Sequence, residues 1–128
     1  MPLRFVLARL LVLASLVGSL AGCGAGSAAG DLDHIQVTFS QFAVTVTNVS
    51  GHKLTDVVAE IVPVGPGTHF RSRPETLSNG ESRTLAHSDF MDGDSVPYSP
   101  RNKRATQVIV NAKDLDGKDV HVEVPFQM

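Results

Sequence analysis

The chain has 128 residues, 42% of them hydrophobic and 19% charged, with a formal net charge of −2. That is the length and balance of one folded domain, which excludes a multidomain machine. With 5% aromatic residues, no Trp and no basic surplus, the composition argues against a nucleic-acid binder and against an aromatic-lined sugar platform.

The first thirty residues are built differently from the rest. Arg4 and Arg9 form a positive start, and Leu10 to Ala21 is an uncharged apolar run of twelve. A membrane-spanning helix needs about 20 apolar residues, so this run has the length of a signal-peptide core, read by the export machinery. It ends in Leu20-Ala21-Gly22-Cys23. This resembles the lipobox of bacterial lipoproteins, in which an aliphatic residue and two small residues precede a Cys that becomes the mature N-terminus. The resemblance implies residues 1–22 as a cleaved lipoprotein signal, thioether diacylglycerol on Cys23, and a mature chain tethered to a membrane without spanning it. Gly24 in place of Asp after the Cys implies, for a Gram-negative cell, the outer membrane and its periplasmic face. Cys23 is the only cysteine, so no intramolecular disulfide supports the exported domain. Residues 23–30 are then the lipidated Cys and an uncharged Gly/Ala/Ser stretch, which reads as a flexible tether.

From Asp31 to Met128 the apolar spacing is two, the period of a strand, and no helical stripe appears. Ile35, Val37 and Phe39 alternate with polar residues, as do Phe42, Val44 and Val46. The parity slips between Phe39 and Phe42, which predicts a bulge or bend at Ser40-Gln41. Asn48-Val49-Ser50-Gly51 has turn chemistry. Thr55 to Val62 places Val57, Ala59 and Ile61 on one face, and Pro63 with Gly65-Pro66-Gly67 ends the run. A short strand is predicted around Thr68–Arg71, and Asn79-Gly80 turns the chain into an exposed strand over Glu81–His87. The last hairpin joins Ala105–Ala112 to Asp119–Phe126 through a Gly-containing turn, with Pro125 at an edge or at a position whose N–H is not needed.

Six or seven short strands with regular turn signals resemble an immunoglobulin-like antiparallel β-sandwich, with a small β-barrel as the alternative. The segment from Phe42 to Leu85 is similar to small bacterial immunoglobulin-like modules with an N-x-S-G-x-x-L-x-D core. The paired Cys and core Trp of antibody-type domains are missing. Tyr98, the only Tyr, lies between Pro97 and Pro100. It resembles in placement a tyrosine corner, where the hydroxyl bonds backbone and pins a crossover.

Catalytic constellations are lacking: there is no G-x-S-x-G, H-E-x-x-H, P-loop or C-x-x-C. The five His residues, at 34, 52, 69, 87 and 121, show no ligand spacing. Asp114-Leu115-Asp116-Gly117 has a D-x-D-G pattern, but Lys118 follows and no distal Glu does, so a hairpin turn is the better reading. Asp89, Asp92 and Asp94 offer three carboxylates in six residues; with His69 and His87 they are the candidate metal ligands. Arg101, Lys103 and Arg104 form the one dense basic run and a candidate interaction surface toward anionic lipid or an acidic partner. Cleavage after Gly22 leaves nine basic and thirteen acidic residues, a balance of −4, so general attraction to anionic lipid is not expected.

The sequence therefore predicts a lipid-anchored, non-catalytic interaction or accessory module of the bacterial cell envelope, with no cofactor and no nucleic acid. Its expected partners are the membrane, through the lipid on Cys23, and an envelope protein. The alternative is a periplasmic protein that captures a metal or small ligand.

Overall fold

The computed structural model describes residues 27–127, so the expected signal segment, residues 1–22, and Cys23 lie outside the described residues. The described chain is all-β, in eight strands: β1 (Ala29–Gly30), β2 (Ile35–Phe39), β3 (Ala43–Asn48), β4 (Leu54–Pro63), β5 (Phe70–Leu77), β6 (Ser82–Ala86), β7 (Ala105–Lys113) and β8 (Asp119–Pro125). They form two antiparallel sheets, β1-β8-β7-β4-β5 and β2-β3-β6. The sheets stay separate, so the barrel alternative is excluded. Setting β1 aside, the remaining seven strands are partitioned as in an immunoglobulin-like sandwich whose fourth strand has moved beside the third.

The period-two patterning dictates this arrangement. Val57, Ala59 and Ile61 on β4, Val108, Val110 and Ala112 on β7, and Val120, Val122 and Val124 on β8 all turn inward. Ile35, Val44, Val46 and Leu85 meet them from the smaller sheet. The other face of that sheet is wet and carries cross-strand hydroxyl pairs, Thr45 with Thr84 at 3.1 Å and Thr47 with Ser82 at 2.7 Å. Asn48 is fully buried, and its amide nitrogen donates to the carbonyls of His52, Leu77 and Ser78 at 2.6–3.1 Å. Its side-chain oxygen accepts from the Ser50 amide and hydroxyl. The Asn-Val-Ser-Gly turn thus stitches the β3–β4 loop to the end of β5 with no lone pair or N–H left over.

Several local expectations change. Ser40-Gln41 is not a bulge within a strand. The chain reverses there, with the Ser40 amide donating to the Ala43 carbonyl at 2.9 Å and Phe39 opposite Val44. Phe42 leaves the core face and sits at the turn, 70% exposed. The short strand expected at Thr68–Arg71 is an eight-residue strand that runs through Pro74. Pro is accommodated because β5 is the outermost strand of its sheet, and β4 and β5 shift register here, with Asp56 and Glu75 at positive φ.

At the other edge, Ala29 and Gly30 pair with Glu123 and Val122 of β8. The folded body therefore begins two residues ahead of the predicted boundary at Asp31. Gly30 has φ +98°, and a Cβ there would sit 2.1 Å from the His121 carbonyl oxygen, so only glycine lets the chain lie this close.

Candidate functional site

The strands direct all the loops to two ends. One end collects residues 31–34, 49–53, 78–81 and 114–118; the opposite end collects residues 40–42, 64–69 and the long β6–β7 crossover, 87–104.

The crossover is held by a few contacts. Phe90 is fully buried. Met91 exchanges backbone hydrogen bonds with Arg71, at 2.8 and 3.0 Å, and so covers this part of the β5 edge. The Tyr98 amide donates to the Phe90 carbonyl at 2.7 Å, and its buried ring packs edge-on against Phe70 with centroids 5.3 Å apart. The Tyr98 hydroxyl donates to the Lys103 carbonyl at 2.9 Å. It thereby ties the crossover to itself, in the structural role its place between two prolines suggested.

Beside Tyr98 opens a cleft of about 490 Å³ bordered by Phe42, His87, Pro97, Tyr98, Pro100 and Arg101. His87 is its unusual member. The residue is only 6% exposed, and neither ring nitrogen has a hydrogen-bond partner. The imidazole packs against Tyr98 and Phe126, at centroid distances of 5.7 and 5.8 Å. Burial lowers its pKa below the ordinary 6.5, so it is neutral at pH 7, with one N–H and one lone pair unanswered.

The candidate metal ligands do not assemble. His69 shares Glu60 with Arg71, its Nδ1 bonding Oε1 while Arg71 Nε donates to Oε2 at 3.2 Å. Asp89 accepts from the Ala86 amide at 2.9 Å, and Asp92 accepts from the amides of Asp94 and Val96. Asp94 is exposed in the turn that Asp92 organises, and His87 is enclosed among rings. Among the described residues, the one group of three such side chains with converging ligand atoms is Asp31, Asp33 and His34. The Asp31 carboxylate there already accepts from the His121 amide, and Asp33 pairs with His34 at 2.9 Å. Asp114 likewise closes its own turn, accepting from the amides of Asp116 and Lys118, with Gly117 at φ +79°.

The two ends differ in charge. The loops of the first carry Asp31, Asp33, Glu81, Asp114 and Asp116 against Lys53 and Lys118. Hydrogen bonds from His34, Arg83 and the Lys118 amide hold Asp33, Glu81 and Asp114 below the usual carboxylate range, so these groups stay ionised in mild acid. Leu32, Val49 and Leu115 are exposed among them. His34, Ser50, His52 and Leu115 border a shallow hollow where three loops meet. The loops of the second end balance Asp89, Asp92 and Asp94 with Arg101, Lys103 and Arg104. All three basic residues are exposed, and none is in an ion pair among the described residues.

Compared with protein-family models, curated proteins and solved structures, the chain matches none.

Sequence spacing marked the acidic crossover and the basic run but missed the two features that organise the site. Phe42 was assigned to a strand face because it lies in phase with Val44 and Val46. His87 is among the candidate metal ligands, but its spacing does not disclose a buried, unpartnered ring; its position just after the Ser82–Ala86 strand, close to buried Leu85, is the available signal.

Proposed function

We propose that this chain is a lipid-anchored, non-catalytic interaction module of the bacterial cell envelope, exported by its N-terminal signal and held by lipid on Cys23. The observation that carries the reading is the end of the sandwich formed by residues 31–34, 49–53, 78–81 and 114–118. There Leu32, Val49 and Leu115 are each exposed on loops of one end that also carry ionised carboxylates, a mixture that suits a protein partner presenting basic residues beside apolar contacts. The loops sit on a two-sheet frame whose edges are partly sealed. Arg83 reaches from β6 to the Thr76 carbonyl of β5 at 3.3 Å, and Met91 covers β5. Loops therefore suit recognition better than strand addition does.

The test is in-cell photo-cross-linking from Leu115, with Thr45 on the wet face of the small sheet as the control position and a Cys23→Ala chain beside both. One envelope complex recovered from Leu115 alone, and lost with Cys23→Ala, is the expected result. Equal capture from Thr45, or none from either position, removes the reading.

A second reading, capture of a small ligand, rests on His87, a residue at the border of the cleft whose two buried nitrogens have no partner. A ligand that binds only the folded state raises its melting temperature. A thermal-shift screen of divalent metals and small polar compounds, repeated on His87→Leu, tests it: only shifts that vanish in the variant support capture.

A further inference from the structure

We propose that the sandwich end made of residues 40–42, 64–69 and 87–104 lies on the phospholipid bilayer, with Phe42 and Val96 entering the interface and Arg101, Lys103 and Arg104 facing lipid phosphates. This rests on the anchored reading above and adds an orientation to it.

Three observations carry the inference. The first is where the chain leaves the domain. Ala29 pairs with Glu123 and Gly30 with Val122, antiparallel, so the chain preceding Ala29 runs toward the C-terminal end of β8. That is the crossover end. Cys23 precedes Ala29 by six residues, a span of at most about 20 Å, which is shorter than the long axis of a domain built on ten-residue strands such as β4. The tether therefore keeps the lipid close to the domain and leaves it heading toward the crossover end, so seating the opposite end on the bilayer requires the chain to reverse at Ala29.

The second is the exposed apolar set. Phe42, Val64, Met91 and Val96 all lie on loops of the crossover end and are exposed. Phe42 stands at the β2–β3 turn and shares the cleft border with Pro97 and Arg101. The Val64 amide donates to the Arg104 carbonyl at 2.8 Å, which puts an apolar side chain next to the basic run. Apolar side chains beside cationic ones are what an interface of acyl chains and phosphates accepts.

The third is charge. The opposite end carries five carboxylates against two lysines, whereas the crossover end is balanced and Asp89 and Asp92 are turned onto backbone amides. An anionic surface therefore repels one end and not the other. With a balance of −4 for the chain from Cys23, the unanchored domain is not expected to bind such a surface; the tether makes a weak contact intramolecular and so effective.

The chain has no Trp, so a single introduced Trp reports its own surroundings. The lipidated chain carrying Phe42→Trp, Val96→Trp or Leu115→Trp is placed in phosphatidylethanolamine/phosphatidylglycerol vesicles whose acyl chains are brominated near the headgroup. The expected result is loss and blue shift of emission for Phe42→Trp and Val96→Trp, with Leu115→Trp unchanged from non-brominated vesicles. Arg101→Glu combined with Arg104→Glu is expected to restore part of the emission. Equal quenching at all three positions, quenching at Leu115→Trp alone, or none anywhere overturns the orientation. Mass spectrometry of the Cys23 peptide tests the anchor separately. If Cys23 carries no lipid, the anchored reading fails, and coupling the Cys23 thiol to a maleimide-bearing phospholipid lets the same three variants decide the orientation.

Discussion

The buried imidazole of His87 makes stability depend on pH in a way that one substitution removes. Its pKa is lowered in the folded state by burial from an unfolded reference of 6.5. As pH falls below about 6.5 the unfolded chain takes up a proton that the folded chain refuses, so the stability present at neutral pH is progressively lost in mild acid. Each full proton of difference is worth about 1.4 kcal/mol per pH unit. Between pH 7 and pH 5 the ceiling is about 2 kcal/mol, reached if the folded ring stays neutral throughout. For a domain of this size that is up to about 8–15 °C in Tm. Urea and thermal melts of the wild-type domain and His87→Leu at pH 7, 6 and 5 measure it, because the carboxylates and the other four imidazoles are common to both proteins. At pH 7 the variant is expected within about 1 kcal/mol of wild type: relief of two unpaired buried nitrogens offsets the lost ring contacts with Tyr98 and Phe126. By pH 5 it is expected to be the more stable of the two. Parallel stability–pH profiles would refute the assignment of His87 as a buried, unpartnered neutral ring.

Asn48→Ala removes a buried hub that answers three carbonyls and the Ser50 amide and hydroxyl; leaving buried partners unpaired predicts a loss of about 2–4 kcal/mol in urea denaturation. Tyr98→Phe deletes the hydroxyl that donates to the Lys103 carbonyl and is expected to cost about 1 kcal/mol, with faster amide exchange confined to residues 98–104; an unchanged Tm and exchange pattern would deny the pinning role. Gly30→Ala drives a Cβ into the His121 carbonyl oxygen and is expected to release β1 while leaving the remaining strands folded, read as loss of amide-exchange protection at Asp31 and His121, whose N–H groups bond across this pairing. Cys23→Ala is expected to move the protein from the membrane to the soluble fraction of the cell.

The fold was legible where burial alternates cleanly. β4, β7 and β8 carry Val, Ile and Ala at every second position, and a slip of one residue would turn each of these rows into water. Legibility failed where a residue keeps the phase of a strand but stands past its end, as Phe42 does, or where an edge position tolerates what the interior would not, as with Arg73-Pro74-Glu75 in β5. The pairing of Ala29 and Gly30 with β8 was hidden for a related reason. A Gly/Ala/Ser stretch carries no side-chain pattern, and what fixes Gly30 is the backbone approach to His121, which depends on a strand ninety residues away. The candidate metal site failed through competition: hard oxygen donors in short loops are equally good acceptors for nearby amides, and Asp89, Asp92 and Asp114 are each satisfied that way.

That competition also explains why the crossover can be long without being loose. Eighteen residues separate β6 from β7, a length at which a segment without internal order is uncommon in a compact domain. Here Phe90 and Tyr98 enter the core, Met91 pairs with β5 and with Pro97, and Asp92 closes the turn between them. The polar inward contacts are made by backbone and carboxylate, which leaves Met91, Val96, Arg101, Lys103 and Arg104 pointing outward on a fixed frame. A surface loop serving only to connect two strands gains nothing from holding apolar and basic side chains outward together. On the anchored reading proposed above, with the chain arriving from the direction of this end, the arrangement would give the molecule a membrane side and leave the acidic loops of the far end turned away from it.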